Sequence, residues 1–155
     1  MFAVTGWPCA IIRRVNRLVA PHKDAHPSFA AELGAVYVGG AVGALSRYGL
    51  VEAVGTRGGT WPWATFLANF IGCAILGFVI AHRQNGWGSD VRLALIGTGF
   101  CGGLTTFSTF QYETWTLIDA SHYFTAIAYV AASVVVGLIA VSSARRYVNR
   151  GRELA

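Results

Sequence analysis

The stretch Gly97-Thr98-Gly99-Phe100-Cys101-Gly102-Gly103-Leu104-Thr105-Thr106-Phe107-Ser108-Thr109-Phe110-Gln111-Tyr112-Glu113 lies within an apolar run from about Leu93 to Ile118 whose one charge is Glu113. About 20 mostly apolar residues suffice to cross a bilayer as a helix, and this run is long enough. Gly97, Gly99, Gly102 and Gly103 fall within seven residues. In a helix interior each glycine costs roughly 1 kcal/mol relative to alanine, so a break is expected near Gly102-Gly103. Non-helical backbone at membrane depth survives only where protein buries it or where it lines a cavity, and its freed carbonyls can then hold a cation. Close helix packing through small residues is the other reading of the same glycines.

Downstream of the glycines, hydroxyls and rings alternate. Thr106, Ser108 and Thr109 offer O–H donors. Phe107 and Phe110 are three apart and share a helix face. Ring edges are electropositive and can turn toward an anion. Working outward, three more segments reach spanning length: Leu33–Val54, carrying Arg47 and Glu52; Trp63–His82, without formal charge; and His122–Ala144, also uncharged. In the second, Thr65, Asn69 and Gly72 at i, i+4 and i+7 fall on one helix face. The amide of Asn69 has donors and an acceptor that lipid cannot satisfy, so it needs a protein or ligand partner. In the last span Tyr129, Ser133 and Gly137 recur every four residues as a small polar stripe. Arg47 can draw anions into a vestibule, pair with Glu52 or Glu113, or snorkel toward the interface.

Composition agrees with four spans. The chain has 155 residues, of which 54% are hydrophobic and only 12% charged. Soluble domains average about 25% charged residues, and 12 basic with 7 acidic groups cannot coat one. The short connections carry Gly58-Gly59 and Pro62, then Asn85-Gly86 and Gly88-Ser89-Asp90, then Asp119 to Ser121. The expected fold is an all-α integral membrane bundle of four transmembrane helices, with residues 33–145 as the membrane domain. Residues 1–32, with Pro8, Pro21, Pro27 and the cluster Arg13, Arg14, Arg17, read as a juxtamembrane tail, and residues 146–155 as a basic C-terminal tail. With both termini on one face, that face holds Arg13, Arg14, Arg17, Lys23, Arg83, Arg92, Arg145, Arg146, Arg150 and Arg152, against Arg57 alone on the other. By the positive-inside rule both termini are cytoplasmic in a multi-pass protein of the plasma membrane. The basic residues flank apolar segments and form no stripe of their own, so no nucleic-acid partner is expected.

Catalytic chemistry finds little footing. His22, His26, His82 and His122 lie in the tail or at span ends, with no carboxylate or thiol at ligand spacing. The pair His22 and His26 precedes Pro27 and makes a poor metal site. Cys9, Cys73 and Cys101 are an odd count without a C-x-x-C pair and read as small buried hydrophobes. An enzyme is not expected.

Gly39-Gly40-Ala41-Val42-Gly43-Ala44-Leu45-Ser46-Arg47-Tyr48, then Thr65 with Asn69 and Gly72, then the run Gly99 to Phe110 resemble the Fluc (CrcB-type) fluoride channels over about residues 34–145. The resemblance implies antiparallel dimers of four-helix subunits with two narrow pores, the third helix broken, and passive exit of cytoplasmic fluoride. It implies that Asn69 is the pore asparagine, that Phe107 and Phe110 are the rings contacting fluoride, and that Thr65, Ser108, Thr109, Tyr129, Ser133 and Glu113 are polar pore positions. It makes Arg47 the vestibule arginine, and Gly102 and Thr105 the source of carbonyls around a structural sodium ion (Na+) on the dimer axis. Three departures stand out: the long tail, Ala64 where a glycine often precedes the second-span threonine, and the strong charge bias. Self-pairing in opposite orientations favours weak bias, so an oppositely oriented homologue is the expected partner, with a homodimer as the alternative. Two other readings share the architecture. A small multidrug-resistance-type antiporter would need a first-span carboxylate such as Glu32 or Glu52. A non-transporting assembly subunit would use Asn69, Phe107 and Phe110 for packing alone.

Overall fold

The computed structural model describes residues 29–55, 61–84, 86 and 88–153. The tail residues up to Pro27, including Cys9, His22, His26 and the cations Arg13, Arg14, Arg17 and Lys23, lie outside the described residues, as do Arg57, Gly58, Gly59 and Asn85.

The secondary structure of the described residues is helical, joined by short non-helical connections. Helix α1 spans Phe29–Val54 and α2 spans Trp63–Gln84. The third crossing, Asp90–Asp119, is composite. It opens with α3 (Asp90–Arg92), continues in a wider π-helical winding over Leu93–Cys101, returns to α4 (Gly102–Leu104) and resumes as α5 (Phe107–Asp119). Helix α6 covers Tyr123–Glu153. Four helices are long and apolar enough to cross a membrane. At 1.5 Å per residue, the 22 residues of α2 reach about 33 Å, close to the thickness of a hydrocarbon core. The basic C-terminal stretch continues α6 as helix, since charge ends the membrane crossing without ending the helix.

Two packing seams organise the bundle. The first span lies along the third, and α2 lies along α6. The α1 seam is backbone on backbone. A Cβ on Gly43 would overlap the Phe100 carbonyl oxygen and come within 2.9 Å of the Leu104 amide nitrogen. One on Gly103 would overlap the Gly40 carbonyl oxygen. Small residues permit this approach, which dispersion and short polar contacts then stabilise where lipid offers no hydrophobic drive. Gly102 and Gly103 remain helical. After Leu104 the backbone is extended at Thr105 (φ −78°, ψ 155°) and Thr106 (φ −148°, ψ 128°), and the joined third crossing as a whole bends by 20°. The shift has a physical reason: Gly103 is held helical by its seam with α1, whereas a β-branched threonine tolerates extended backbone well.

At the end carrying the 85–89 connection, the Ser89 side chain caps α3 by accepting from the Arg92 amide. Arg83 on α2 pairs there with Asp90. At the opposite end the 120–122 turn places Ser121 at φ 62°.

Candidate functional site

Asn69 sits on α2 facing the two extended threonines. Its Oδ1 accepts from the Thr106 amide at 2.8 Å and its Nδ2 donates to the Thr106 carbonyl at 3.2 Å. The side-chain amide thus stands in for a neighbouring strand and pairs both the N–H and the C=O of Thr106. In hydrocarbon an unpaired backbone group costs several kcal/mol, so this clamp makes the extended pair tolerable. The Thr106 hydroxyl accepts from the Thr109 amide at 3.2 Å, capping α5, donates to Thr109 Oγ1 at 3.1 Å, and lies 3.2 Å from Ser108 Oγ. Thr105 donates its hydroxyl to the Cys101 carbonyl at 2.8 Å, which also accepts from the Thr105 amide at 2.9 Å.

One turn or more toward the 55–62 end, three spans converge on Glu113. Thr65 of α2 donates to Oε1 at 2.8 Å, and the Tyr129 phenol of α6 donates to Oε2 at 2.9 Å. Thr65 and Tyr129 are fully buried. Pairing with Glu113, one of the readings open to Arg47, is not made among the described residues; both Glu113 oxygens accept from hydroxyls instead. Among the described residues the ion pair is Arg83–Asp90, and Arg47 is half-buried on α1 without one.

Aromatic rings join these two polar clusters. Phe107 and Phe110 lie 6.0 Å apart between centroids, Phe110 and Tyr129 5.1 Å, and Tyr129 and Trp61 5.5 Å in a T-shaped contact. Trp61 also meets Phe66 edge-on at 5.6 Å. Sequence reading missed Trp61. Its only signal was an aromatic beside Pro62 at a span start, where an interfacial belt residue is expected. Ser133, one turn along α6 from Tyr129, has a buried hydroxyl with no partner among the described residues.

The structure therefore brings Thr65, Asn69, Phe110, Glu113 and Tyr129 onto the inner faces of α2, α5 and α6, with Thr109 half-buried beside them. Ser108 and Phe107 lie on the exposed side of α5, together with Gln111. Gly102 is exposed on the same crossing, and Thr105 is half-buried. The clamp has a further effect here. Thr106 N, the amide that would close a helical turn on the Gly102 carbonyl, is held by Asn69 instead. Glu32 and Glu52 occupy the first and last turns of α1, away from this cluster.

The arrangement amounts to a polar, ring-lined seam in which the Thr65 and Tyr129 hydroxyls donate to Glu113 and Asn69 clamps Thr106, while the Ser133 hydroxyl has no partner among the described residues. The profile of the family described as CrcB-like protein, Camphor Resistance (CrcB), matches residues 34–144. The chain belongs to the CrcB-like family. Its relatives include the fluoride-specific ion channel FluC 1 of Mycolicibacterium paratuberculosis, 42% identical over 122 residues, 78% of this chain and 92% of that one. The fluoride-specific ion channel FluC of Ignicoccus hospitalis is 44% identical over 108 residues, 69% of this chain and 86% of the relative. That of Chloroflexus aurantiacus is 43% identical over 110 residues, with 69% and 86% covered. The CrcB match reaches into all four crossings, starting within the first and ending within the last.

Proposed function

We propose that the chain is the subunit of a fluoride channel, through which cytoplasmic fluoride leaves the cell passively and its toxicity falls. The carrying observation is a polar seam inside the bundle, made of the Asn69 amide, the unpartnered Ser133 hydroxyl and the Thr65–Glu113–Tyr129 cluster, beside the Phe107–Phe110 pair, in a chain whose relatives are named fluoride-specific channels. Fluoride holds its hydration tightly, so its passage needs hydrogens in place of water. Amide, hydroxyl and ring-edge hydrogens supply them. The buried Ser133 hydroxyl, with no protein acceptor among the described residues, is free to turn toward an ion. The physiological logic is that of a weak acid: HF crosses lipid, ionises inside, and the trapped anion needs an exit. The chemistry is transport, and no bond is made or broken.

The test is fluoride efflux from liposomes holding the purified chain, read with a fluoride electrode. Wild-type protein should empty its vesicles far faster than protein-free ones. Phe107→Ile and Phe110→Ile keep bulk and remove ring edges, and each should slow efflux at least about tenfold, a loss of roughly 1.4 kcal/mol of barrier stabilisation. Vesicles as tight as bare bilayers, with a homologue from the same genome also supplied, would overturn the reading.

The assembly is read as an antiparallel dimer. Support comes from Ser108 and Gln111 on the outer side of α5, where lipid would meet polar groups, and from exposed Gly102 beside them. A partner copy covers such a face. The Gly102 and Thr105 carbonyls fit a structural sodium ion on the dimer axis: they are hard neutral oxygens, and the Gly102 carbonyl has lost its helical amide donor to Asn69. When bound, the ion supplies positive charge to bare carbonyls. The third crossing then functions as a broken helix, its extended Thr105-Thr106 pair stabilised by the Asn69 clamp.

Both termini are assigned to the cytoplasm from the distribution of Lys and Arg, which stays at six against Arg57 when the first 32 residues are left out. Fixed orientation implies an oppositely oriented homologue as partner. An epitope at the C-terminus of intact cells should therefore be reachable only after permeabilisation. Equal labelling from both faces would indicate a homodimer of two orientations.

A further inference from the structure

At the end of the bundle far from the Glu113 cluster, a groove of about 170 Å³ opens between the last turns of α2 and the start of the third crossing. Phe78, Leu93 and Ile96 give it an apolar floor, and Arg83, Ser89 and Arg92 form its polar edge. The edge is unevenly charged. Asp90 is its acid, and Arg83 takes it. Arg92 is exposed and makes no ion pair among the described residues, so its guanidinium leaves a net positive rim. The surroundings deepen that field. Arg145 of α6 donates to Gln84 Oε1 at 3.5 Å, tying the basic segment that also holds Arg146 and Arg150 to the end of α2.

An apolar trough meeting a cationic, hydroxyl-bearing rim at a membrane interface has the anatomy of a phospholipid: a phosphate above and a hydrocarbon chain below. The surplus positive charge selects among headgroups, because basic pockets between spanning helices attract anionic lipids. We propose that this groove binds an anionic phospholipid, with one acyl chain on the Phe78–Leu93–Ile96 floor and the phosphate held by Arg92 and the Ser89 hydroxyl. Bound there, the lipid bridges α2 and the third crossing beside the exposed Arg83–Asp90 ion pair. The site is remote from the fluoride seam, so its occupancy is judged without reference to ion flux.

The test uses the full chain purified in a neutral maltoside detergent. Retained lipid is counted by native mass spectrometry, and the unfolding temperature is followed on adding dioleoyl-phosphatidylglycerol, dioleoyl-phosphatidylcholine or inorganic phosphate. Phosphatidylglycerol should be retained and should raise the unfolding temperature, phosphatidylcholine less so, and phosphate alone not at all. Arg92→Gln should weaken phosphatidylglycerol retention about fivefold, the worth of one cation near an anionic headgroup. Arg146→Gln, outside the groove and contributing only to the surrounding field, should weaken it less. Arg92 is exposed and its backbone amide, not its side chain, meets Ser89, so the variant keeps the fold. Equal retention of the two lipids, protection by phosphate alone, or an equal loss in both variants would overturn the proposal.

Discussion

Asn69→Asp should reduce fluoride efflux from liposomes by at least ~100-fold while leaving the protein folded. The Asp side chain keeps the acceptor that receives the Thr106 amide and loses the Nδ2 donor to the Thr106 carbonyl, so one arm of the clamp survives. What changes in the pathway is charge. Two unit charges about 4 Å apart at an effective dielectric of about 20 repel by about 4 kcal/mol, and each 1.36 kcal/mol of barrier is tenfold in rate. That gives roughly three decades at about 4 Å, and about two decades at a separation of about 6 Å. The efflux assay is read beside size-exclusion behaviour and thermal unfolding. Undiminished flux in a well-folded variant would remove Asn69 from the ion's path and leave it the clamp on Thr106 alone.

That double duty explains what could and could not be read from the chain. Spacing alone put Thr65 and Asn69 on one face of the second span, and α2 bears this out. It did not say what that face meets, because the partners lie 37 and 48 residues away, at Thr106 and Glu113. Four crossings were legible because bilayer thickness imposes a length that hydropathy reveals directly. The location of the extended pair was not. Glycine density marks where a helix is weak in isolation, yet at Gly103 the seam with α1 overrides that weakness. The irregularity moves to Thr105 and Thr106, where hydroxyls and Asn69 can satisfy the backbone. The π-helical winding over Leu93–Cys101 had no local signal either, and it is known only from the fold. Trp61 escaped notice because a tryptophan at a span start ordinarily marks the interface, and only the tertiary approach of α6 shows its ring against Tyr129.

Gly43→Ala should destabilise the protein by about 2 kcal/mol, and Gly34→Ala, on the same helix, should stabilise it by up to about 1 kcal/mol. The two substitutions add the same methyl group and gain the same intrinsic helix propensity, about 1 kcal/mol. They differ only in what the methyl meets. At Gly34 nothing lies within 4 Å. At Gly43 the Phe100 carbonyl oxygen already occupies the place of a Cβ, with the Leu104 amide nitrogen at 2.9 Å. Both obstacles are backbone atoms of the third crossing, so no side chain can rotate aside and the helices must separate. Overpacking a close-packed contact costs about 1–3 kcal/mol, and a wholly backbone contact belongs at the upper end. Separation would also draw Thr105 and Thr106 away from α1 and strain the Asn69 clamp on their far side. Fluoride efflux per folded molecule should therefore fall with stability in Gly43→Ala and hold in Gly34→Ala. Thermal unfolding in detergent of both variants checks the sign. If Gly43→Ala melts at or above the wild-type temperature, the helices are not in backbone contact there, and the seam that holds the third crossing against α1 is misplaced.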